Sequence, residues 1–130
     1  MTTNTTAAPP AQPDSLSVSA PDLAWLKALI ETSLLRSGIY HLPWTPEQEA
    51  QVLVTWMRTL NAAGVTKRML PTVLRSAHES RPLHALNKPL TLDHVVYTHQ
   101  RLQAGMKWSL RFEKWVDDGG DFYAPPVTGG

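Results

Sequence analysis

The stretch Thr45-Pro46-Glu47-Gln48 constrains this chain more than any other, because it marks a helix start at three positions at once. A threonine before the first turn can accept a free amide, and a proline at the first helical position has no amide to leave unpaired. A glutamine three residues after the cap can bond back to the cap's own N–H. From there Ala50, Leu53, Trp56, Met57 and Leu60 recur at helical spacing as an inner face, with Glu47, Gln51, Thr55 and Arg58 opposite, until Gly64 offers a left-handed stop. Such a helix buries one face and needs other elements to cover it.

The same grammar recurs on both sides. Ser19-Ala20-Pro21-Asp22 predicts a first helix that ends at Gly38, with Leu23, Leu26, Leu29, Ile30 and Leu34 inward and Lys27 and Glu31 outward. Thr66 caps a third segment, residues 67 to about 79, in which Pro71 removes a backbone donor and predicts a kink or a restart. Residues 80–90, with Pro82 and Pro89, read as a loop. Thr91 opens the last helical region, whose core residues are Leu92, Val95, Val96 and Leu102; it either runs through Gly105 to Asp118 or breaks at the glycine.

No internal repeat and no alternating strand pattern is visible, so the predicted fold class is all-α, a small bundle of four to five helices. With 130 residues and 42% hydrophobic content the chain can bury one core, which predicts one domain. That helical domain is placed at residues 19–118. Residues 1–18 are mostly Thr, Ala, Pro and Ser, and ordering them would cost entropy with little burial in return, which predicts a flexible N-terminal arm. Gly119-Gly120 closes regular structure, and residues 119–130 read as a flexible C-terminal tail.

Several function classes find no support. There is no cysteine, hence no disulfide scaffold, thiolate metal site or cysteine nucleophile. The seven glycines form neither G-x-x-x-x-G-K-S/T nor G-x-G-x-x-G, and no G-x-S-x-G elbow occurs. His78-Glu79 starts like H-E-x-x-H, but Pro82 stands where the second histidine belongs. His41, His84, His94 and His99 lack metal spacing, and Asp117, Asp118 and Asp121 lack the ligand pattern of a calcium loop. The N-terminus has no signal-peptide pattern, and no stretch approaches the ~18 apolar residues of a membrane span. Twelve basic against eleven acidic residues leave a net charge of +1, so any polyanion surface must be local. These features predict a cytoplasmic protein that is not an enzyme, uses no metal or cofactor and works by binding, with self-association left open.

Two segments carry positive signals. Residues 60–78 have a helix-turn-helix outline: Thr66, Lys67 and Arg68 open the second helix and are candidate nucleic-acid contacts. The second signal is Lys107-Trp108-Ser109-Leu110-Arg111-Phe112-Glu113-Lys114-Trp115. On a continued helix, Trp108, Phe112 and Trp115 fall at i, i+4 and i+7. Gln100, Gln103, Lys107, Arg111 and Lys114 form a polar stripe. Lys107, Trp108, Arg111, Phe112, Lys114 and Trp115 are therefore candidate partner-binding residues, and the competing reading is that the aromatic stripe is simply core.

A helix carrying Trp56 and Leu60, then Gly64-Val65-Thr66, a short helix ending Ser76-Ala77-His78, a loop at Arg81-Pro82 and a closing helix after Pro89 make up residues 45–103. This outline resembles the helical domain of phage replication protein P and related phage helicase loaders. The family's proline-rich signal before the last helix is reduced here to Asn87-Lys88-Pro89-Leu90-Thr91. The resemblance implies a non-enzymatic protein-binding adaptor in DNA replication of a phage or mobile element, with a replicative helicase as protein partner. The alternative is a small helix-turn-helix DNA-binding or transcription-regulatory protein. The segment from Lys107 onward lies beyond the resemblance, and a binding role there is inferred from its residues alone.

Overall fold

Each long helix starts where a side chain or a proline meets the unpaired amides of a first turn. Ser19 Oγ accepts from the Asp22 amide and opens α1 (Ala20–Arg36). Gln48 Oε1 accepts the Thr45 amide at 2.9 Å and opens α2 (Pro46–Ala62). Thr91 Oγ1 accepts the His94 amide at 3.2 Å at the head of α4 (Leu92–Gln103). Between them, α3 (Leu70–Glu79) begins three residues later than the sequence suggests. Thr66 Oγ1 accepts the Met69 amide across a turn, so Pro71 occupies the first helical turn, where no donor is missed, and no kink results. The computed structural model describes residues 15–117.

The last region is where the all-α expectation is corrected. Gly105, at φ 77°, ends α4 in the left-handed conformation, and the chain then forms an antiparallel hairpin of β1 (Met106–Ser109) and β2 (Lys114–Asp117). The protein is thus mostly helical with one two-stranded sheet. Trp108 lies opposite Trp115 and Ser109 opposite Lys114, so residues 110–113 form the connecting loop. Glu113 closes it at φ 52°.

The core sits between the helices. α1 packs on α2 and α3, α3 on α4, and β1 on α4. Leu26, Met57, Leu60, Leu70, Val73, Leu74 and Val95 are fully buried, each contributing about 1.5–3 kcal/mol of burial free energy. Val65, just past Gly64, is buried beside them; its amide bonds to the Leu60 carbonyl at 3.0 Å, so the α2 stop and the core are made together. Ala50, expected on the inner face of α2, is exposed. Lys27, expected to face away, pairs with Glu49 of α2 at 3.0 Å.

The N-terminal boundary also moves. Leu16, assigned to the arm, is only 4% exposed and belongs to the core. Asp22 holds that segment: its Oδ2 accepts from the Ser17 hydroxyl at 2.7 Å and the Ser17 amide at 3.1 Å. The remainder of the arm, residues 1–14, and the tail, residues 119–130, lie outside the described residues. No helix among the described residues is long and apolar enough to cross a membrane.

Candidate functional site

The hairpin gathers all six candidate partner-binding residues, though not as a helical stripe. Cross-strand partners share a face, so Met106, Trp108, Trp115 and Asp117 lie on one side and Lys107, Ser109, Lys114 and Val116 on the other. The first face is turned to α4. Trp108 and Trp115 meet edge to face at 5.7 Å, and Trp115 meets Tyr97 of α4 edge to face at 6.5 Å. Arg101, one turn further along α4, lies 5.0 Å over the Tyr97 ring, donates to its hydroxyl at 3.0 Å and reaches Met106 Sδ at 3.2 Å. Trp115 packs against the edge of the core and Trp108 is half-buried, so these two rings fasten the hairpin to the bundle.

The tip does the opposite. Leu110 is 74% exposed and Phe112 62% exposed. The Phe112 amide donates to Ser109 Oγ at 3.1 Å, and the Arg111 guanidinium lies 5.3 Å from the Phe112 ring, so the loop has local order of its own. Lys107, Arg111 and Lys114 are all exposed on the hairpin. The core reading thus holds for only part of the aromatic stripe: Trp115 packs at the core edge, Trp108 is half-buried and Phe112 faces solvent.

The residues opening the helix-turn-helix outline are placed differently. Lys67 pairs with Asp22 Oδ1 at 2.9 Å, and Thr66 is spent on the Met69 amide. The Asp22 carboxyl is held below its ordinary value first by the Ser17 hydroxyl and then by Lys67, a geometry that clamps residues 15–18 to the 66–70 turn. Arg68 is exposed and keeps an interaction of its own.

Three of the five histidines are structural in placement. His94 Nε2 donates to the Ala77 carbonyl at 3.0 Å and lies 3.1 Å from Ser80 Oγ, which joins α4 to the end of α3. His99 is buried and bonds to the Ala63 backbone. His78 Nδ1 accepts from Arg81 at 2.9 Å, and the same guanidinium donates to the Lys88 carbonyl at 2.7 Å, holding the loop before α4 in place. Burial lowers all three imidazoles below the ordinary 6.5, with the Arg81 charge adding to the effect at His78 and His94. Among the described residues no three histidine, aspartate or glutamate side chains gather into a metal-ligand cluster.

Two features had no signal in the sequence pattern. Leu110 lies off the helical stripe and joins the site only because the loop turns there. A groove of about 480 Å³ opens beside Pro43, Trp44, Val52, Trp56 and Leu92, with Gln51 and Thr55 on it and no charged side chain in its lining. Compared with protein-family models, with curated proteins and with solved structures, the chain gives no match.

Proposed function

We propose that this chain is a non-enzymatic adaptor that binds another protein through its hairpin tip, in the manner of a helicase loader of a phage or mobile element. The observation that carries the binding role is the pair Leu110 and Phe112, 74% and 62% exposed beside Arg111 and Lys114. Two large apolar side chains held out from one loop gain nothing for the folded monomer, whereas burial against a partner would gain about 1.5–3 kcal/mol each. Arginine and aromatic residues together are typical anchors of protein interfaces, and ring packing on α4 pre-orders the loop, which lowers the entropy lost on docking. The assignment to replication rests on the resemblance of residues 45–103 and on nothing else.

A duplex-binding role for Thr66, Lys67 and Arg68 has less support, because Lys67 already neutralises Asp22. The test is recovery of interacting proteins from host-cell extract with the purified full chain and with a Leu110→Ser/Phe112→Ser variant of equal stability. A replicative helicase or loader-type partner recovered by the parent chain and lost with the variant is the expected result. Equal recovery by both chains, absence of any replication protein, or salt-sensitive duplex DNA binding as the sole activity would overturn the reading.

A further inference from the structure

Two buried polar atoms have no protein partner among the described residues: Ser33 Oγ and Trp44 Nε1. They come from different elements, α1 and the connection into α2, yet both residues line the same small void, whose wall also includes Ile30, Trp56 and Leu74 from the helices and Pro89 and Leu90 from the loop before α4. An unpaired buried donor costs about 1–3 kcal/mol, so a fold that leaves two such side chains on the lining of one void calls for a physical reason.

The size of the void supplies one. Its volume of about 20 Å³ exceeds the ~10–15 Å³ that one water molecule needs and leaves no room for anything larger. The two groups are also chemically matched to water. An indole N–H can only donate, while a serine hydroxyl both donates and accepts. Direct alternatives serve the two unequally. Thr32, the preceding residue, returns its hydroxyl to the Ala28 carbonyl at 3.0 Å, and Ser33 has the same recourse one step along the helix. Trp44 has none, because its N–H is fixed by the ring.

We infer that the void between α1 and the α2 entry holds one ordered water molecule, which accepts from Trp44 Nε1 as its anchoring contact and also meets Ser33 Oγ, a second contact whose removal it survives. This water bolts the connection after α1 onto the helix it leaves. It also fixes the wall that Trp44 and Trp56 present to the 480 Å³ groove, since both residues line groove and void alike.

The experiment is a pair of water-selective NOE and ROE spectra on the full 15N-labelled chain. The Trp44 indole proton is identified by its loss in Trp44→Phe, and the other four tryptophans serve as internal comparison. The expected result is a cross-peak between water and the Trp44 indole proton, of opposite sign in the two spectra as for a long-lived water, and retained in Ser33→Ala. Absence of the cross-peak in the parent chain would overturn the inference. So would its loss in Ser33→Ala, which would assign the signal to an exchanging Ser33 hydroxyl.

Discussion

Residues 66–68 and residues 107–115 are both basic segments next to a turn, yet the fold uses them in opposite ways. At the first, Lys67 turns inward to Asp22 at 2.9 Å and Thr66 bonds within its own turn, so the polar groups close the molecule on itself. At the second, Trp108 and Trp115 secure the hairpin while Leu110 and Phe112 extend into solvent beside Arg111 and Lys114, and Lys107 keeps an interaction of its own. The difference teaches that a basic cluster is informative only once its counter-charges are located. Asp22 lies 45 residues before Lys67 in sequence, beyond the reach of any local pattern.

The comparison can be broken most forcefully in the core that both regions share. Leu60→Ala removes a side chain at 0% exposure and should cost about 2–5 kcal/mol in chemical denaturation, loosening both regions together. Next in size, Asp22→Ala deletes the acceptor of the Ser17 bonds and the Lys67 pair. A loss of about 1.5–3 kcal/mol is expected, with faster amide exchange at Ser17, since that amide donates to the carboxylate. Trp115→Ala removes two edge-to-face ring pairs worth together about 1–3 kcal/mol. Near-ultraviolet dichroism should fall while helical dichroism is kept, because no helix depends on the hairpin for its hydrogen bonds.

Acid should separate the regions by chemistry. His78, His94 and His99 all lie in the bundle and all titrate below 6.5 when folded, so the unfolded chain binds more protons than the native one as pH drops. Their contribution to stability is complete above pH 6.5 and is lost as pH falls through 6.5 toward the lower folded values. Thermal unfolding followed from pH 7.5 down to 5 should show a decline, reduced in His99→Gln. The smallest effect is at the tip: Leu110→Ser and Phe112→Ser should change stability by no more than about 0.5 kcal/mol each, as for surface positions outside the core.

Much of the helical scaffold was legible because its signals are local. Ser19, Thr45 and Thr91 cap the helices they announce, and Gly38 and Gly64 adopt positive φ as helix stops. The hairpin was not legible, for a geometrical reason. Trp108 and Trp115 are seven residues apart, which is two turns of helix and also the separation of the second facing pair out from a four-residue loop. The loop Leu110-Arg111-Phe112-Glu113 contains no Asn-Gly or Asp-Gly to announce a turn, and Glu113 takes the left-handed position in place of glycine. Of the site, the cations and aromatic rings could be named from sequence, but their division into anchors and exposed tip depends on Tyr97 and Arg101, which belong to another element. Leu16 was missed likewise: one leucine in a Thr/Pro/Ser stretch shows no period, and only the Ser17–Asp22 contact brings it to the core.

The most direct test of the contrast is a side-by-side affinity measurement on the purified partner, with the parent chain, Leu110→Ser/Phe112→Ser and Lys67→Ala/Arg68→Ala compared at equal folded fraction. Loss of the two tip side chains should weaken binding at least about tenfold, the equivalent of 1.4 kcal/mol, while the 67/68 pair should leave it within about twofold. The reverse order, with the tip variant unchanged and the 67/68 variant impaired, would contradict the account.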